Sequence, residues 1–239
     1  MSAMVFALVA AAGNLVGGYA VVRHERRGLA LIDLFLAFGA GFMLAVALLE
    51  VAPQALELRD DAPVFILGGY FVIHLVQHVL VPHFHFGEET HQVSPRQGLT
   101  ALAGLLLHTF FDGVAIASGF LVSGQLGILL FLAVFLHKLP EGVAMASVML
   151  AGGQSRGRAL SSAAALGLAT VVGVLLTEVS RPLLNHGLAV SAGVTLYVAA
   201  SNLVPEFQSR RGWRMPVAFF GGAAAFFVTR LLVEAAGVQ

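Results

Sequence analysis

Eight apolar stretches, each close to the length needed to cross a lipid bilayer, dominate this chain and limit what it can become. They cover residues 3–22, 29–56, 62–82, 99–122, 126–151, 159–179, 188–207 and 215–233, with short polar breaks between them. A spanning helix needs roughly 20 predominantly apolar residues. The runs are rich in Ala, Leu and Gly and lack the alternation of a membrane strand. Charge agrees, since 58% of the 239 residues are hydrophobic and only 11% are charged, against about 25% charged in a soluble domain. So few charges cannot cover the surface of a soluble protein, whereas lipid removes that requirement. The expected fold is an all-α membrane protein, a single domain over 1–239 with eight transmembrane helices.

Composition excludes several functions. The formal net charge is zero, so nothing draws the chain to nucleic acid. Cysteine is absent, which removes disulfides, iron–sulfur clusters and thiolate metal sites. The first apolar run begins almost at Met1 with no basic leader. It ends in Val21-Val22-Arg23-His24 rather than a small-residue cleavage signal, and reads as a retained span. No H-E-x-x-H string is present for a metalloprotease, and the only lysine, Lys138, lies inside an apolar run rather than in a phosphate-binding loop. No enzymatic activity is expected.

Basic residues orient the spans. The first, third, fifth and seventh breaks hold Arg23, Arg26, Arg27, Arg96, Arg156, Arg158, Arg210, Arg211 and Arg214, while the others hold only Arg59 and Arg181. Under the positive-inside rule the odd breaks are cytoplasmic and both termini lie outside.

The chemistry concentrates in the fourth and fifth runs. His108-Thr109-Phe110-Phe111-Asp112-Gly113-Val114-Ala115-Ile116-Ala117 echoes His137-Lys138-Leu139-Pro140-Glu141-Gly142-Val143-Ala144-Met145-Ala146. A weaker echo joins Val51-Ala52-Pro53-Gln54 to Leu203-Val204-Pro205-Glu206. Successive spans run in opposite directions, so the stronger echo suggests an inverted repeat, an architecture that places a binding site at the midplane. Ionisable groups in hydrocarbon are costly and mark function by default. Positions i and i+4 share a helix face, so each helix offers an imidazole one turn from a carboxylate. Two such faces supply two nitrogens and two carboxylates, a donor set suited to zinc and also acceptable to Fe2+, Mn2+, Cd2+ or Co2+. A lone intramembrane histidine is more often a packing residue than a ligand; the duplication favours metal. Gly113 and Gly142 permit close helix approach, and Pro140 frees the carbonyl of Leu136.

H-x-x-x-D-G-x-A followed by H-K-x-P-E-G-x-A on the fourth and fifth of eight spans resembles the ZIP family of metal transporters. Gly41-Phe42-Met43-Leu44 through Pro53, the His-bearing loop at 83–98, and Leu196-Tyr197-Val198-Ala199-Ala200 through Glu206 extend the resemblance along nearly the whole chain. It implies an eight-helix bundle in a 3+2+3 arrangement, with His108, Asp112, His137 and Glu141 as transport-site ligands. It also matches Glu178, the only acid of the sixth run, to a family glutamate near that site. Many relatives place Asn after the first His and an acid after the second, which builds a second metal position. Here those places hold Thr109 and Lys138, and an ammonium substitutes for a second cation, so one metal is expected. Glu50 and Pro53-Gln54 replace the family's frequent second-span His and Pro-Glu.

Other residues carry weaker signals. His74 and His78 form another i, i+4 pair that reads equally as a secondary site or a packed polar stripe. His83, His85, Glu88, Glu89 and His91 lie in the third break, where such a tract captures metal or is simply solvated. Met43 offers a thioether, although methionine in an apolar helix usually packs. Asn14, Asp33 and Asn202 carry no specific signal alone. The reading is transport of a divalent ion, with zinc first, toward the cytoplasm across a bacterial inner membrane. The alternatives are a haem-b electron carrier with His108 and His137 as axial ligands, and a metal sensor that does not transport. A homodimer is compatible with the sequence, which does not set the oligomeric state.

Overall fold

The computed structural model describes residues 3–23, 29–77, 95–205 and 212–237. Among these residues eight helical rods follow one another and no strand occurs. In lipid every backbone amide must be satisfied within its own segment, which leaves helix as the state available to such runs. The rods are α1 (Ala3–Arg23), α2 (Leu29–Val46, Ala47–Val51 and Ala52–Leu58 in continuity), α3 (Ala62–Leu75), α4 (Pro95–Val122), α5 (Gly124–Ala151), α6 (Arg156–Val179), α7 (Arg181–Tyr197 continuing through Val198–Leu203) and α8 (Arg214–Ala235). Six of them, α1, α2, α4, α5, α6 and α8, are long and apolar enough to cross a membrane on length and composition, and α3 is apolar but shorter.

Local chemistry sets the ends. Ser123 caps α5 by accepting from the Leu126 amide at 3.1 Å, and Ser155 caps α6 by accepting from that of Arg158 at 3.3 Å. Arg59 donates to both oxygens of Asp61 at 2.8 and 2.9 Å in the α2–α3 turn, which holds the Asp61 carboxyl below its ordinary range. α7 starts at Arg181 rather than at 188, because Pro182 suits a first helical turn. The polar stretch 180–187, read as a break, is therefore mostly helix. Two π-helical segments, Ala47–Val51 and Val198–Leu203, were not expected. Each ends two residues before a proline, Pro53 or Pro205, whose missing N–H cannot close the α-helical bond four residues back.

The rods associate in a regular way. α1 packs on α5 and α6, α4 packs on α5 and α6, α2 pairs with α8, and α3 pairs with α7; α2 also touches α5, and α4 touches α7. Glycine makes these approaches possible. A Cβ on Gly113 would run into the Thr170 carbonyl, and one on Gly142 into the carbonyl of Asn14. Gly173 faces the Phe110 carbonyl as Gly17 faces that of Leu139. The outer pairs repeat the device, with Gly41 on Phe219 and Gly222 on Phe38 between α2 and α8, and Gly193 on Ile66 and Gly69 on Val190 between α3 and α7. Lipid supplies no hydrophobic drive between helices, so close backbone contact carries the association.

This packing predicts a sharp contrast. Gly113→Val and Gly142→Val should each lower the melting temperature in detergent by the equivalent of about 1–3 kcal/mol or more, the cost of overpacking. Gly68→Ala, where no atom lies within 4 Å of the new carbon, should stay within about 1 kcal/mol.

Candidate metal site

α4 and α5 bring the two echoed motifs face to face. His108 and Asp112 sit one turn apart on α4, while His137, Lys138 and Glu141 lie on α5, and all five are buried. Among the described residues, His108, Asp112 and His137 form the group able to hold a metal ion, with their ligand atoms within 4.8 Å of one another. The Asp112 Oδ2 atom is the focus. It lies 3.4 Å from His108 Nε2 and 3.3 Å from His137 Nε2. The two rings are 5.5 Å apart and tilted by 32°.

Hydrogen bonding determines which nitrogen is free. His137 Nδ1 lies 2.9 Å from the Ala133 carbonyl, which can only accept, so Nδ1 donates. Nε2 also faces an acceptor, Asp112 Oδ2, so only the doubly protonated ring satisfies both bonds. Once the Nε2 proton leaves, Nε2 carries the lone pair, the ligand state that the Nδ1 bond enforces in metal sites. A bare imidazole nitrogen beside a carboxylate oxygen is repulsive unless a cation lies nearby. His108 Nδ1 is buried without a hydrogen-bond partner.

Part of the required positive charge is built in. The Lys138 ammonium, fully buried, donates to Asp112 Oδ2 at 2.6 Å and to Glu141 Oε2 at 2.8 Å. It does not reach for the interface, as lysines in membranes commonly do. Glu141 therefore joins the cluster through Lys138. Asn14 of α1, also fully buried, donates through Nδ2 to Glu141 Oε2 at 3.1 Å. Sequence reasoning passed over Asn14, although its place among Gly13, Gly17 and Gly18 marks a tightly packed face. The Thr109 hydroxyl donates to the Leu105 and Leu106 carbonyls at 3.0 and 3.1 Å, so its proton is spent within α4.

The remaining candidates lie elsewhere. Glu178 is exposed: the buried stripe of α6 passes through Thr170, Gly173, Val174 and Thr177, and the next position turns outward. α6 thus does not bring Glu178 into the cluster. Met43 is buried in an apolar group with Ile73 and Tyr197. His74 is exposed, with its ring 5.8 Å from that of Tyr197. His78, His83, His85, Glu88, Glu89 and His91 lie outside the described residues. Glu50, in the first π segment, is 3.4 Å from Arg230 of α8, and Asn202, in the second, donates to Gln77 at 2.8 Å.

A bundle of apolar rods around a buried histidine–carboxylate cluster defines a multi-pass membrane protein with metal-ligand chemistry in its interior. Comparison with known proteins agrees. The sequence profile described as ZIP zinc transporter matches residues 83–230, and the chain belongs to the ZIP family. It is 29% identical over 220 residues to the zinc transporter ZupT of Escherichia fergusonii, an alignment covering 84% of this chain and 85% of that protein. The zinc transporters ZupT of Salmonella paratyphi A and Salmonella newport match with the same identity and coverage.

The cluster makes a direct prediction. Lys138→Met leaves two buried carboxylates without a cation, a loss of about 3–5 kcal/mol for a broken buried pair. Its melting temperature should fall below the parent's without metal and recover when zinc is added. A variant as stable as the parent in chelator would show that the ammonium does not hold the cluster together.

Proposed function

We propose that this chain carries divalent transition-metal ions, zinc foremost, across a bacterial inner membrane toward the cytoplasm. The observation that carries the proposal is the convergence of two imidazole Nε2 atoms on the Asp112 carboxylate, with the distances given above, deep inside a bundle of apolar helices. Zinc accepts such nitrogen and oxygen donors; Fe2+, Mn2+, Cd2+ and Co2+ share that chemistry and are expected as weaker substrates. The relatives named above are zinc transporters, which favours zinc as the cargo.

In this reading His108, Asp112 and His137 bind the ion directly. A single ion occupies the site, because Lys138 supplies the positive charge at the second position and Thr109 is bonded to its own helix. Glu141 is held by Lys138 and Asn14. Binding requires imidazoles and carboxylates free of protons, so uptake should fall as the external medium is acidified.

The whole chain acts as one domain with a 3+2+3 inverted repeat and both termini outside the cytoplasm. The packing supports the repeat. Exchanging α1 with α6, α2 with α7, α3 with α8 and α4 with α5 turns each principal helix contact into another that is present. The same exchange carries Gly113 onto Gly142, Gly17 onto Gly173, Gly41 onto Gly193 and Gly69 onto Gly222, and it carries the Glu50–Arg230 pair onto Asn202–Gln77. The arginine bias between alternate breaks supports the orientation. A haem reading is disfavoured, because the Asp112 oxygen lies beside both Nε2 atoms where a porphyrin would have to pass. No catalytic role is proposed.

Reconstitution into liposomes with an internal metal-sensitive dye tests the proposal. The parent protein should take up zinc, whereas His108→Ala, Asp112→Ala and His137→Ala should each lose at least about tenfold, the least expected from removing a direct ligand to a buried ion. Uptake equal to the parent's in all three would overturn it.

A further inference from the structure

We infer that Asn14 is a positioning residue for metal binding, forming with Glu141 the seat to which the Lys138 ammonium withdraws when an ion takes Asp112. The inference rests on reading His108, Asp112 and His137 as the ion's direct ligands. It adds a requirement that this reading leaves open, since one carboxylate oxygen is claimed twice. Lys138 Nζ lies 2.6 Å from the same Asp112 Oδ2 toward which both imidazoles turn. A divalent ion and an ammonium sharing that oxygen would repel at close range in a medium of low dielectric. The ammonium must move as the ion arrives. It is fully buried, so it cannot move to water without leaving the bundle interior, and it needs acceptors within reach.

Two such acceptors are present. Glu141 Oε1 and Asn14 Oδ1 are both buried and have no hydrogen-bond partner. The ammonium has three N–H groups, of which two are used. Asn14 cannot offer the opposite face to Glu141: its Nδ2 donates to Glu141 Oε2 at 3.1 Å, and reversing the amide would set two oxygens against each other. Its Oδ1 is therefore the free acceptor. The seat is rigid. Gly13 packs over Lys138 with a position for Cβ only 3.0 Å from the lysine's own Cβ, and the Asn14 backbone packs directly on Gly142. α1 is thus locked against the two turns of α5 that carry Lys138 and Glu141. In the withdrawn position the ammonium keeps Glu141 Oε2 and exchanges Asp112 Oδ2 for Asn14 Oδ1 or Glu141 Oε1. Buried polar groups rarely remain unpaired, and withdrawal of the ammonium gives one of these acceptors a partner.

A residue that merely filled space or satisfied Glu141 would show no dependence on Lys138, and the test uses that difference. Zinc binding to the purified full-length protein in detergent is measured calorimetrically for the parent, Asn14→Leu, Lys138→Met and the double variant, with Asn14→Ala in parallel because it adds no bulk. In the presence of Lys138, loss of the Asn14 amide should weaken zinc binding about tenfold, the scale of one charge-assisted hydrogen bond. In the Lys138→Met background the same change should weaken it by less than about twofold, since no ammonium needs a seat. Equal losses in both backgrounds overturn the inference, as does tighter binding on removal of Asn14 alone, which would mean that the amide restrains Glu141 from the metal. Zinc binding to the parent that survives His108→Ala and His137→Ala together defeats the site itself. Binding that depends on both histidines without coupling between Asn14 and Lys138 defeats only this inference.

Discussion

A charged lysine with no exposure to solvent is the constraint from which the interior of this protein follows. An ammonium in a low-dielectric interior is tolerated only when it is paired and hydrogen-bonded, and Lys138 meets that condition through Asp112 on α4 and Glu141 on its own helix. The first pairing ties α4 to α5. The second brings Glu141 within reach of Asn14 and so involves α1. Three helices are thereby registered around one ammonium, and the two histidines are left to converge on a carboxylate oxygen that already bears a compensating cation.

Packing makes that registration possible. The helices that carry the cluster approach α1 and α6 at glycines, and Gly142 against Asn14 has its counterpart in Gly113 against Thr170. A side chain at either glycine would push apart helices whose polar groups must stay within hydrogen-bond range. The outer pairs, α2 with α8 and α3 with α7, use the same backbone contact and each contains a π-helical turn beside a polar pair, Glu50–Arg230 in one and Asn202–Gln77 in the other. One of these polar pairs is salt-bridged and the other is neutral.

Much of the candidate site's geometry was legible because helix periodicity is local. Four-residue spacing placed His108 with Asp112 and His137 with Glu141 before any contact was known, and the matched glycines marked the close approaches. Partnerships were not legible. Glu141 has the spacing of a ligand but is bonded to Lys138 and Asn14, and spacing cannot report which neighbour captures a carboxylate. Glu178 was matched to the site by resemblance, whereas the buried stripe of α6 ends at Thr177 and a helix turns about 100° per residue. Asn14 lies more than a hundred residues from the acid it binds, so no local pattern could have exposed it.

By itself the amino-acid sequence determined that the chain is helical, that it spans lipid repeatedly, and that two of its spans each present a histidine and an acid on one face. Those outcomes depend on the hydrophobicity of runs and on the helical period, both of which act within a single segment. Only the tertiary structure decided that Asp112 is the shared focus, that a lysine already neutralises it, and that α1 supplies Asn14. Each of these depends on how closely separate helices approach, which is set by glycines and carbonyls meeting across the bundle rather than by neighbours along the chain.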